Sequence, residues 1–268
     1  MAVGSREWRE VERRRGKYRR LFKKVFQKAL DKQIEPFLKD IQFINPNNTT
    51  FQDIPIDNTG VEKAYVKLYK TVGLDFAEDE RDKFIKSAPK RMQTKADEFT
   101  NSEFNYIVEQ YLRTGLVGAN ITSVGDTSQE HLQKLLNQII LEVQDQNLST
   151  SVAQTMLRDR LKSRWHRDMR FRTARIVRTE ISAASNWGQI EGVKSTGLPT
   201  NKFWVAAFDE RTRQAHADAN GQMRDINQPF EVGGELMMQP LDSSLGATAS
   251  NIVNCRCTTT FQLKSMTI

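Results

Sequence analysis

At Lys202 the apolar periodicity of this chain changes from helical to mainly extended, with one short helix beyond it. Before that point apolar residues recur at steps of three and four, the spacing of one helical face. After it, short alternating runs lie between turn-forming residues. Helices first and strands last read as an α+β fold, a mainly helical N-terminal body followed by a small mixed α/β C-terminal domain. Three parts are expected: a basic amphipathic helix and connector over 1–45, a helical domain over 46–160, and a domain over 161–268 made of a long helix plus a small sheet.

The first helix is expected from about Ser5 to Leu30, with a seam of Trp8, Val11, Arg15, Tyr18, Phe22, Val25 and Ala29. Arg15 is the one charge on that seam. Turn residues between Pro36 and Gly60 mark a connector. Helical patterning returns at Val61–Val72 and at Glu78–Tyr111, interrupted at Pro89, with Thr100 and Glu103 placed to cap the segment carrying Phe104, Ile107, Val108 and Tyr111. Gly115–Gly125 reads as a small uncharged loop, Ser128–Gln146 as a helix and Ser149–Leu161 as a short one. A long helix then runs from about Trp165 to Lys194, ended by Gly197 and Pro199. Glu180 lies on its apolar stripe with Ile176, Ala183, Trp187 and Ile190, so it needs a hydrogen-bonded partner or must be neutral. Beyond it, Phe203–Phe208 reads as a strand, Asp209 as the cap of a short helix ended at Asn220–Gly221, Gly233–Gly234 as a turn, and Asn254–Leu263 as the last strand.

The chain holds 40 Lys and Arg against 33 Asp and Glu, a net charge of +7. That average hides two blocks. Residues 1–30 carry +8 and residues 158–178 carry +7, leaving −8 for the rest. Blocks of this kind point to an anionic partner, nucleic acid or an acidic protein face. The outward candidates are Arg13, Arg14, Arg19, Arg20, Lys23 and Lys24 in the first block, and Arg164, Arg167, Arg170 and Arg172 in the second. Few aromatics interrupt them, so contact with double-stranded DNA would run through phosphates rather than stacked bases. No apolar run has the length of a transmembrane helix, and no apolar run follows the N-terminal positive charge as in a secretory signal. Two cysteines one residue apart build no disulfide framework, which fits a reducing cytosol.

No phosphate-binding loop, dinucleotide fingerprint or nucleophile elbow is present. His131 and His166 sit among polar residues and read as surface histidines. His216 differs, because Cys255 and Cys257 share one face of the final strand. If that strand packs beside the short helix, His216 and the two thiols supply three zinc ligands, with Asp209 or Asp218 as a fourth. A pair of cysteines one residue apart is atypical for a zinc finger, so hydrogen-bonded buried thiols are the other reading and no cofactor is required.

Four ordered segments carry a family resemblance: ARIVRTEISAASNWGQIEG at 174–192, KFWVAAFDERTRQAHADANGQ at 202–222, GELMMQPLD at 234–242, and NCRC at 254–257. Over about 165–262 the chain resembles the Mu F-type phage head morphogenesis family. The resemblance implies a minor head protein, a structural adaptor present in several copies per particle in the head interior near the portal and made in the host cytoplasm. Its implied partners are the portal, the major capsid or scaffold protein and packaged DNA, and its implied role is head assembly with genome packaging or ejection. Many members carry His-Pro before the Asn-Cys-Arg-Cys; here Ile252–Val253 stand there.

Read physically, the motif residues Arg178, Thr179, Glu180, Trp187, Trp204, Asp209, Arg211, Thr212, Gly221 and Arg256 form a folding core and not an active site. Glu180 is expected to pair with Arg211, Arg213 or Arg256, Thr212 to return the Asp209 cap, and the two tryptophans to fill one junction. The competing reading is a metal-assisted nuclease or an effector-type transferase using Arg178–Thr179–Glu180 with His216, Cys255 and Cys257.

Overall fold

The structure, a computed structural model, describes residues 5–49, 51, 54–93, 100–113 and 116–264. The helical part runs α1 (Arg6–Lys32), α2 (Glu35–Asp40), α3 (Thr59–Leu68), α4 (Leu74–Ser87), α5 (Lys90–Gln93), α6 (Asn101–Arg113), α7 (Leu116–Gln144) and α8 (Thr150–Lys194). Then come β1 (Thr200–Val205), α9 (Gln214–Asp218), β2 (Met223–Asp225), β3 (Phe230–Val232), β4 (Glu235–Met237), α10 (Ala249–Ile252) and β5 (Thr258–Leu263). This is the expected α+β order.

Several boundaries differ from the sequence reading, and three in the helical part have a local reason. Gly73 does not end a helix, because a π-helical turn over Tyr69–Gly73 joins α3 to α4. The expected loop at Gly115–Gly125 is helix from Leu116 onward, while Gly115 lies outside the described residues. The two helices expected around 161–165 are one, since nothing between Leu161 and Trp165 breaks the 45-residue α8. The division expected at 160/161 falls inside that helix.

The chain forms two compact units, Met1–Phe22 with Val66–Leu116 and Arg175–Ile268, and Lys23–Tyr65 with Val117–Ala174. In the second unit, Phe26 meets Tyr65 edge-on at 5.3 Å, and Trp165 Nε1 donates to the Leu30 carbonyl at 2.9 Å. That carbonyl is among the last of α1, which have no partner within their own helix. Leu132, Leu136, Ile139 and Val143 of α7 and Leu157 and Leu161 of α8 complete the apolar interior. Each fully buried side chain of this size contributes roughly 1.5–3 kcal/mol.

In the first unit every residue of α8 from Thr179 to Ile190 is buried, so this stretch is enclosed on all sides and not amphipathic. Its small residues permit close approach. A β-carbon on Gly188 would lie 2.2 Å from the Gly73 carbonyl oxygen, and one on Gly192 would lie 2.1 Å from that of Ala77. The π turn therefore sets backbone against backbone. Trp187 fills the space beside this crossing, stacked on Tyr111 at 4.6 Å and near Phe104 at 5.5 Å.

The C-terminal strands form an antiparallel sheet of order β2-β1-β5, with Val205 opposite Thr258 and Phe203 opposite Met223. β3 and β4 make a separate hairpin. Its Gly233–Gly234 turn has φ of +60° and +79°, which the paired glycines accommodate without strain. Trp204 packs edge-on against Phe230 at 5.4 Å in a cluster with Ala206, Val232, Met237, Cys255 and Cys257. Trp187 and Trp204, expected to share one junction, thus serve different ones. The final strand begins at Thr258, so Cys255 and Cys257 lie on irregular chain just before it.

Candidate functional site

The irregular segment Asn254–Cys257 has buried backbone that no strand partner satisfies, and side chains from distant elements do so. Asn254, at φ +62°, donates its amide to Thr179 Oγ1 at 3.1 Å, while Arg178 reaches its side-chain oxygen at 3.4 Å. The Arg256 carbonyl accepts from Trp8 Nε1 at 2.8 Å and from Arg15 Nη1 at 3.1 Å. Asn186 Nδ2 donates to the Cys257 carbonyl at 3.1 Å and to that of Pro240 at 3.0 Å. Arg213 donates to the Val253 carbonyl at 2.7 Å. The Arg-Thr and Asn-Cys-Arg-Cys motifs, 75 residues apart at Thr179 and Asn254, are thus two halves of one hydrogen-bonded node.

Arg15 is the centre of that node and is fully buried. Its Nε donates to Ser185 Oγ at 2.7 Å and its Nη2 to Asn186 Oδ1 at 2.6 Å. These acceptors are neutral, so burial dominates and pushes the guanidinium down to about 10. The seam position that looked anomalous in the sequence is where α1 is bolted to α8 and the 254–257 segment.

Asp209 does not cap α9, which begins at Gln214 with Arg213 at its N-cap. It closes a tight turn instead: its Oδ1 accepts from the Arg211 amide at 3.0 Å, and Thr212 Oγ1 accepts from the Asp209 amide at 3.0 Å. The expected exchange between Asp209 and Thr212 therefore exists, one turn ahead of the helix. Arg256 forms an ion pair with Asp209 and not with Glu180. Arg213 is engaged at Val253 and Arg211 is exposed. Glu180 instead lies 3.4 Å from the Tyr69 hydroxyl. Gly221, at φ +78°, donates to the Trp204 carbonyl at 2.8 Å and returns the chain from α9 toward β2.

His216, Cys255 and Cys257 converge as the sequence suggested, all buried, with ligand atoms within 4.8 Å of one another. Asp209 and Asp218 do not join them: Asp209 is held by Arg256, and Asp218 accepts from Gln214 at 2.7 Å. Both sulfurs lie near the same imidazole nitrogen, Nδ1, at 3.3 Å for Cys255 and 3.5 Å for Cys257. Burial opposes ionisation of Cys255, but its hydrogen bonding with Cys257 and His216 outweighs it and pulls that thiol well down. Cys257 moves well up, because Cys255 takes its proton as a hydrogen bond and because it is buried.

The basic candidates separate into two groups. Arg14 is consumed by Asp75 and Asp79, Arg19 by Glu12, Arg164 by Glu142, and Arg172 by Ser128 Oγ and the Val124 carbonyl. Arg13, Arg20, Lys23, Lys24, Arg167 and Arg170 face outward. Within the second unit, Lys23, Lys24, Lys28, Lys32, Arg170 and His166 line an open groove of about 620 Å³, against only Asp31 and Glu35. His166, read as a surface histidine, is exposed and touches Asp31 at 2.9 Å, and half-buried His131 touches Asp168 at 3.1 Å. No helix among the described residues is long and apolar enough to cross a membrane.

The family model of phage Mu protein F like proteins matches residues 130–260. The match begins in α7, upstream of the motif series read from the sequence. No curated protein and no solved structure matches the chain.

Proposed function

Residues 130–260 belong to the Mu F-like family of phage head morphogenesis proteins, and from that premise we propose that the chain is a minor head protein, a non-enzymatic adaptor in the head interior near the portal. It docks on portal, capsid or scaffold protein in several copies per particle and acts in assembly and in packaging or ejection of the genome. The observation that carries the structural role is the use made of the family's motif residues. Thr179, Arg256 and Asp209 are spent on each other and on backbone, and Thr179 and Glu180 are only 8% and 6% exposed. Catalytic groups must reach a substrate, whereas these reach the fold.

The groove lined by Lys23, Lys24, Lys28, Lys32 and Arg170 supports contact with packaged double-stranded DNA through its phosphates. Its five cations face two carboxylates, Asp31 and Glu35, so the groove keeps a positive excess. Such contact is steeply salt-dependent.

Two measurements test this reading. Removal of the chain during infection should leave heads that assemble or fill abnormally under the electron microscope; normal, filled, infectious heads without it would contradict the proposal. The purified full chain should bind duplex DNA at about 50 mM salt and release it at about 500 mM. Binding that survives the higher salt, or is absent at the lower, would contradict the phosphate-contact part.

A further inference from the structure

The nitrogen–sulfur separations in the His216–Cys255–Cys257 cluster are close to those that a shared zinc ion imposes. Zinc held tetrahedrally by imidazole nitrogen at about 2.0–2.1 Å and by thiolate sulfur at about 2.3 Å separates those two atoms by about 3.6 Å. The observed separations are 3.3 and 3.5 Å, from one nitrogen to two sulfurs.

The surroundings also fix which nitrogen is available. Asn251 Nδ2 donates to Glu235 Oε2 at 2.7 Å and to the Val232 carbonyl at 3.3 Å, which leaves its oxygen facing His216. His216 Nε2 lies 3.3 Å from that oxygen and must donate to it. The neutral ring then carries its lone pair on Nδ1, the atom beside both sulfurs. An outer residue that holds a histidine in its metal-binding tautomer is the usual support of a metal site.

The same segment receives α1. Trp8 and Arg15 donate to the Arg256 carbonyl, and Arg15 also donates to the Cys257 carbonyl at 3.3 Å. Those carbonyls flank and belong to the cysteine pair, so whatever fixes the sulfurs fixes the acceptors. We propose that His216, Cys255 and Cys257 bind one zinc ion, with a solvent molecule in the fourth position, and that this ion holds residues 254–257 in the form that docks Trp8 and Arg15. The proposal rests on this geometry and is independent of the role in the head.

The test uses the full chain purified from zinc-supplemented cells under reducing conditions. The expected result is about one zinc per chain, lost in Cys257→Ser and in His216→Ala. Because those variants can fail to fold, wild-type protein is also stripped with a chelator and reloaded with cobalt, which should give the visible absorption of cobalt–thiolate bonds. Stripping should speed tryptic cleavage within α1 by about tenfold or more, since cleavage follows the undocked population. Absence of both zinc and cobalt uptake, or a Cys255–Cys257 disulfide in the isolated protein, would overturn the site. Unchanged cleavage of α1 after stripping would overturn the coupling. Zinc-dependent DNA cleavage by the loaded protein would overturn the non-enzymatic reading and leave the metal site standing.

Discussion

Arg15 of α1 donates from Nη2 to Asn186 Oδ1 of α8 at 2.6 Å, a hydrogen bond between two fully buried polar side chains 171 residues apart. The same amide oxygen lies 3.0 Å from Thr258 Oγ1, so one atom serves helix, helix and strand. Arg15→Met would take one donor each from Ser185, Asn186 and two carbonyls, and a hydrogen bond to a charged group contributes about 1.5–3 kcal/mol. The expected destabilisation is at least about 2 kcal/mol in urea unfolding. Arg15→Lys should recover little, because an ammonium lacks the planar fork that reaches four acceptors. A change under half a kilocalorie would show that the node is not stabilising.

Gly188→Ala places a methyl 2.2 Å from the Gly73 carbonyl oxygen, and neither backbone can yield without separating two helices. The expected cost is about 3 kcal/mol or more. Gly16→Ala is the control: nothing lies within 4 Å of its added carbon, and α1 should gain about 0.5–1 kcal/mol. Equal effects from the two substitutions, read by thermal or urea unfolding, would refute the close crossing.

Much of this architecture is legible in the sequence because it rests on local rules. The α1 seam, the Thr100–Glu103 cap with its reciprocal bonds of 2.8 and 3.2 Å, and the Gly233–Gly234 hairpin follow from spacing and turn chemistry. Arg15 was visible as the one charge on its seam, but its acceptors come from elements far along the chain. Partners fixed by tertiary folding are what the sequence conceals. Glu180 could be assigned a need for a partner, yet Tyr69 entered through a π turn that no periodicity announces. Gly73 resembles a helix end and is a point of close approach. Lys202, inside an alternating strand, gave no sign that it would be buried.

Lys202 makes the pH dependence testable. It is fully buried, its ammonium donates to the Met238 carbonyl at 2.5 Å, and it lies 5.0 Å from the centre of the Phe230 ring. Burial pushes it down to about 8 from 10.5. Between those values the unfolded chain binds the extra proton, so stability contributed by this residue rises with pH. The penalty is full below pH 8 and relieved toward 10.5. Wild type should therefore gain on Lys202→Met between about pH 7 and 10, by an amount of order 1–3 kcal/mol in urea unfolding. Parallel pH profiles of the two proteins would contradict it.

The groove lysines should act through charge alone. Replacing Lys23, Lys24 and Lys28 together with Gln should lower the slope of log affinity for duplex DNA against log salt by about 2–3, near 0.9 for each phosphate left without its cation. Fold stability should move little, because all three are exposed. An unchanged slope would place the DNA-binding surface elsewhere.

The central claim, a structural component of the phage head, is tested most directly by quantitative mass spectrometry of purified, filled heads. The prediction is that this chain is present at a fixed ratio of several copies per particle and stays with the heads through density-gradient purification. Its absence from the heads, with the chain recovered only in the soluble lysate, would contradict the claim.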